Sequence, residues 1–154
     1  MKKLFLLLCV CASFVSFSQE KAEPVVWKVS YIDRGNNEGE IIFAATIAEK
    51  HHIYSQKPTD AGPIATSFTI TPNADYKAVD KVTEPEAHEA YEEVFGAKVA
   101  SFEKEVLFKQ KISRKSNKAF VISTFVEYTC CNDRMCLPPK TLQFMVTVPE
   151  AAKK

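Results

Sequence analysis

The nine residues from Phe120 to Tyr128 constrain this chain more than any other stretch. Phe120, Ile122, Thr124, Val126 and Tyr128 alternate with Val121, Ser123, Phe125 and Glu127. That period of two belongs to a strand, whose successive side chains leave on opposite faces. Shorter runs of the same kind recur at Val25–Tyr31, Glu40–Ala48, Thr66–Thr71 and Thr141–Val148, with a weaker one at Tyr76–Val82. A longer run, Phe102–Ile112, puts Val106, Phe108 and Ile112 on one face. Turn residues separate the runs, as in Gly35-Asn36-Asn37-Glu38-Gly39 and Pro72-Asn73. Seven or so short strands with little helical periodicity predict an all-β, antiparallel sandwich. Glu84–Glu93 alone has helical composition. It lies between strands and ends at Phe95-Gly96, so it is expected to be a loop with at most one or two helical turns. Neither an internal repeat nor a second domain is evident.

The two ends divide the chain. Met1-Lys2-Lys3 precedes the apolar stretch Leu4–Ala12, with small residues at Ser16 and Ser18. This is the pattern of a secretory signal peptide over residues 1–18, with cleavage expected before Gln19. The apolar run is too short to span a membrane comfortably, so the processed chain is not expected to be membrane-spanning. Residues 19–24 read as a polar tail, 25–149 as the sandwich domain and 150–154 as a second tail. Loss of Lys2 and Lys3 leaves 18 basic against 19 acidic residues. That balance speaks against a nucleic-acid binder, which needs a basic stripe.

Cleavage also removes Cys9 and Cys11, leaving Cys130, Cys131 and Cys136. These three thiols lie within seven residues and are followed by Leu137-Pro138-Pro139. A structural disulfide framework in an oxidising compartment uses an even number of cysteines. A domain of about 136 residues also buries enough core to fold without a staple. Adjacent cysteines do not readily bridge each other, so the useful pairs are Cys131 with Cys136 or Cys130 with Cys136. Either bridge closes a short loop, which adds little stability by constraining the unfolded chain. The residues therefore point to a redox dithiol working by thiol–disulfide exchange, which needs an accessible sulfur and a resolving thiol beside it. Arg134 would favour a thiolate and Asp133 would oppose it. The pair is itself the redox group, so no cofactor is expected.

Two rival chemistries fit these residues less well. A metal site could draw on the three thiols with His51, His52 or His88, but the spacing matches no zinc ribbon or finger. A Cys–His hydrolase lacks any motif that places a histidine as base. The rival from another class is a non-catalytic secreted β-sandwich binding module with a structural disulfide or a Cys/His metal site.

The chain resembles the amino-terminal periplasmic domains of the DsbD thiol:disulfide interchange proteins. The likeness is carried by His52-Ile53-Tyr54-Ser55-Gln56, Gly62–Phe68, Tyr91-Glu92-Glu93-Val94-Phe95-Gly96 and Phe102–Val106. Its strongest part is Val126–Pro139, where two cysteines flank a short polar loop entered from Tyr128 and left through Pro-Pro. The resemblance implies an immunoglobulin-like sandwich and a periplasmic dithiol carrier. Such a carrier takes electrons from a membrane electron-transfer protein and exchanges with thioredoxin-like domains and oxidised periplasmic proteins. By position, Cys136 is the cysteine that exchanges with partners. Counting from Tyr128 gives Cys131 as its mate, and a wider family spacing gives Cys130; Cys131 is preferred. Phe95 takes the role of a cap, with Tyr54, Glu92, Glu93, Gly96 and Tyr128 around the pair. The family's longer members continue into a membrane domain and a thioredoxin-like domain, so the resemblance implies a stand-alone version that borrows its electron source.

Overall fold

A computed structural model describes residues 23–59 and 61–151. The expected signal peptide lies outside the described residues. Among those residues the chain forms eleven strands and no helix. The first sheet contains β1 (Val25–Gly35), β2 (Glu38–Ile47), β8 (Glu105–Arg114) and β5 (Tyr76–Thr83), in the order β1-β2-β8-β5. The second has β10 (Cys130–Asn132), β3 (His51–Tyr54), β7 (Ala97–Glu103) and β6 (His88–Glu92), in the order β10-β3-β7-β6. The third runs β11-β9-β4, from β11 (Lys140–Val148), β9 (Phe120–Tyr128) and β4 (Ser67–Ile70). Every pairing is antiparallel.

One core joins the three sheets. Strand β8 buries Val106, Phe108, Gln110, Ile112 and Arg114 and exposes most of the residues between them. Strand β9 buries Phe120, Ile122, Thr124, Val126 and Tyr128, the set that the alternation predicts. Trp27, Phe43, Phe68, Phe102 and Phe108 pack as an aromatic group, with Trp27 and Phe108 stacked 5.9 Å apart. Each fully buried side chain of this size stabilises the fold by about 1.5–3 kcal/mol through the water it sheds. Ile53, Phe102 and Cys130 bring the second sheet onto the same core.

Two local expectations are corrected. The segment expected to be a loop with helical turns contains strand β6, which pairs with β7 from His88↔Ser101 to Glu92↔Ala97. Its alanine and glutamate residues favour helix only weakly in so short a stretch, and pairing with the edge of β7 outweighs that preference. The run Phe102–Ile112 is two strands in different sheets. The break falls at Lys104, which adopts φ +63°, and its carbonyl accepts from the Ile47 amide at 2.7 Å. The turn at Gly35-Asn36-Asn37 has φ values of +79°, +52° and +62°. Glycine and asparagine tolerate that left-handed region best.

Candidate functional site: a bonded cysteine pair under an aromatic residue

At Thr129 the chain leaves the third sheet, and as β10 it becomes the edge of the second. Cys130 lies opposite Ile53, and Cys131 opposite His52. Because adjacent residues of a strand face opposite ways, the two cysteines part company here. Cys130 enters the main core, where it is buried and free. Burial pushes its thiol up from the ordinary range, against a smaller opposing pull from Lys140. Cys131 takes the outer face of the sheet.

The loop after Cys131 folds back tightly. Asn132 donates its amide to the Met135 carbonyl at 3.0 Å, and its side-chain oxygen accepts from the amides of Arg134 and Met135, each at 3.0 Å. This Asx-type turn is the local reason the polar segment reverses direction. The Leu137 amide donates to the Cys130 carbonyl at 2.8 Å, so Cys136 returns directly opposite Cys131. Their Cα atoms are 3.9 Å apart, and the two sulfurs are bonded.

The two halves of this bridge differ in access. Cys131 is 2% exposed, whereas Cys136 is exposed on the loop. Cys131 packs with Tyr54 and Val99, and Phe95 closes over this small cluster. Phe95 meets Tyr54 edge to face with ring centres 6.1 Å apart. Phe95 is delivered by the turn between β6 and β7. There Glu92 accepts backbone bonds from Phe95 and Gly96 at 3.1 and 2.9 Å, and Gly96 adopts φ +62°.

Polar groups flank the cluster. Tyr54 Oη donates to Glu92 Oε2 at 3.1 Å, and His52 Nε2 lies 2.9 Å from Tyr54 Oη. Glu92 Oε1 is 3.7 Å from His52 Nε2. Burial, reinforced by the Glu92 carboxylate, pushes the Tyr54 phenol well above its usual range, so it stays a donor.

The other residues singled out from sequence are less central. Glu93 is exposed, and among the described residues its side chain makes no hydrogen bond or ion pair. Tyr128 belongs to the main core, with its ring 5.5 Å from Trp27, on the Cys130 side of the sheet. Asp133 and Arg134 are exposed at the loop tip, where water screens their charges. Among the described residues no group of three or more His, Cys, Asp or Glu side chains is placed to hold a metal ion. His52 is not among the residues that the resemblance places around the pair. The signal was present, because His52 and Tyr54 are two apart on one strand and so share a face.

The site is thus a bonded cysteine pair at a sheet edge of a β-sandwich, with Cys131 buried and Cys136 exposed. The family described as "Thiol:disulfide interchange protein DsbD, N-terminal" matches residues 20–148, and the chain belongs to it. The family's domain works with a redox-active cysteine pair rather than a cofactor. No curated protein sequence matches the chain. Among solved structures it is similar to the N-terminal periplasmic domain of ScsB from Proteus mirabilis, with 15% identity and a TM-score of 0.53. That match covers 82% of this chain and 47% of the other, so the chain spans about half of its length. It is also similar to the reduced DsbD N-terminal domain of Neisseria meningitidis, at 15% identity and TM-score 0.50, covering 79% and 85%. A third match is to a structure of the complex between the DsbD and PilB N-terminal domains of the same organism, at 15% and 0.53, covering 82% and 87%. At such identity these likenesses speak for the fold, an immunoglobulin-like sandwich.

Proposed function

We propose that this protein is a periplasmic thiol:disulfide interchange domain, a dithiol carrier in which Cys131 and Cys136 alternate between disulfide and dithiol. One observation carries the reading: of the two bonded cysteines, Cys136 is exposed as a residue and Cys131 is buried against Phe95. A donor thiolate attacks Cys136, the bond between Cys136 and Cys131 breaks, and its electron pair stays on Cys131. The donor's second thiol then attacks its own sulfur in the mixed disulfide and frees Cys136. The donor leaves oxidised, and the domain holds two thiols. In the opposite direction the Cys136 thiolate attacks an oxidised partner and Cys131 resolves the intermediate.

A membrane electron-transfer protein, through a thioredoxin-like domain, is the donor this reading requires. Oxidised periplasmic proteins are the acceptors. The family assignment supports the carrier role, and the solved complex of a DsbD N-terminal domain with a PilB N-terminal domain supports docking with a partner domain. Tyr91–Gly96 serves as a cover that shields Cys131 until a partner docks. Tyr54 and Glu92 hold the base of that cover through the hydrogen bond between them.

The test is to trap the intermediate. Reduced Cys131→Ala protein, mixed with an oxidised thioredoxin-like domain, should accumulate a mixed disulfide through Cys136, because no internal thiol faces the bond to resolve it. Cys130→Ala should accumulate little, since Cys130 faces the core. Stronger trapping by Cys130→Ala would assign the resolving role to Cys130 and overturn the pairing.

A further inference from the structure

The outer face of the second sheet brings an imidazole beside the covered sulfur. His52 and Cys131 are directly opposite in the pairing of β3 with β10. Residues so placed in an antiparallel pair share a face, with Cβ atoms about 4.5–5.5 Å apart. Tyr54, two residues from His52 and on the same face, packs against Cys131, which fixes that face independently. The His52 ring stands edge-on to Tyr54, with centres 5.2 Å apart.

The hydrogen bonds also settle which nitrogen is free. Tyr54 Oη has one proton and donates it to Glu92. The contact between His52 Nε2 and Tyr54 Oη must therefore have Nε2 as donor. In the neutral ring the lone pair is then on Nδ1, so a proton is gained or lost at that atom. The ring's contacts with Tyr54 Oη and with the Glu92 carboxylate at 3.7 Å both fall on Nε2 and orient it.

Resting on the interchange reading above, we propose that His52 is the proton partner of Cys131, with Tyr54 and Glu92 as the residues that position it. When a thiolate attacks Cys136, the sulfur–sulfur bond breaks and Cys131 leaves with the electron pair. A protonated His52 beside it stabilises that thiolate and supplies a proton from Nδ1. In the reverse direction the neutral ring takes the proton from the Cys131 thiol as Cys131 attacks the mixed disulfide. The electrons come from a dithiol donor and go to a disulfide acceptor, and His52 moves only the proton.

The titratable groups around His52 are few. Tyr54 shares its strand, Cys131 faces it from β10 and Glu92 from the end of β6. Glu103 lies opposite it on β7 and is exposed. Of these, only Cys131 changes its covalent state during exchange.

The inference is tested on the whole oxidised domain with dithiothreitol as reductant. The rate constant is divided by the attacking thiolate fraction at each pH. A better-stabilised leaving thiolate departs faster. The corrected rate of the native protein should therefore fall by about tenfold over the pH range in which the His52 ring goes from protonated to neutral. His52→Gln, whose amide can still donate to Tyr54, should be slow and flat across that range. His52→Lys, cationic throughout, should be fast and flat. The native profile should join the lysine variant at low pH and the glutamine variant at high pH. Parallel profiles for native and His52→Lys would overturn the proposal, and that comparison stands even if His52→Gln folds poorly. The outcome is separable from the fate of the interchange reading. Dithiothreitol reports on the bridge alone, whereas failure to trap any mixed disulfide with a thioredoxin-like domain would remove the carrier role and leave the pH profile as it is.

Discussion

Cys136→Ser should leave a folded sandwich that no longer exchanges disulfides. The bridge joins residues only five apart, so constraining the unfolded chain contributes about 2 kcal/mol at most. The fold rests on the core that joins the three sheets, in which Ile41, Phe43, Phe108, Ile122 and Val126 are fully buried. None of these touches the loop chemistry. For a domain of this size the melting temperature should fall by less than about 10 °C. Exchange with a thioredoxin-like domain should drop below detection, because the exposed cysteine of the pair is gone. Gross unfolding of the variant in a thermal melt would make the bridge a structural staple and return the protein to the class of non-catalytic binding modules.

Phe95→Ala should speed the chemistry while costing little stability. Phe95 is half-buried and packs on the small cluster of Tyr54, Val99 and Cys131, apart from the main core. Complete burial of a phenylalanine in a core makes truncation cost about 3–5 kcal/mol. A partly exposed ring over so small a cluster should cost about 1–2 kcal/mol. Its removal uncovers Cys131, and thiol reactivity follows access to sulfur. Alkylation of the reduced pair by iodoacetamide should accelerate by about tenfold, the larger part of the gain at Cys131. A loss of stability near the full-core figure with no gain in reactivity would make Phe95 an ordinary packing residue and remove the cover.

Sequence and structure agree most closely where the periodicity was strongest. Strand β9 exposes and buries the residues that its alternation predicts, and β8 does the same. Those two strands carry much of the core, so the sandwich was legible from them. The exchange of one strand for two at Lys104 was not. Nothing in Phe102–Ile112 marks a lysine as the residue that takes a positive φ, since that position follows from the chain passing between sheets. Strand β6 was hidden for a related reason: its glutamates and alanines suit a helix, and only its neighbour β7 shows why they extend.

The choice between Cys130 and Cys131 could not be read from spacing, since both distances to Cys136 allow a bridge. It depends on which face of β10 meets the core, and the pairing with β3 decides that. The same pairing brings His52 next to Cys131. Read along the chain, that histidine stands 79 positions from the cysteine, and no local pattern connects them.

The most direct test of the central claim is a redox titration of the native domain in dithiothreitol buffers, with the bridge mapped by mass spectrometry at each point. The account predicts one reversible two-electron transition in which Cys131 and Cys136 lose and regain their bond, while Cys130 stays a thiol throughout. A bridge that resists reduction until the protein unfolds, or one that maps to Cys130, would contradict it.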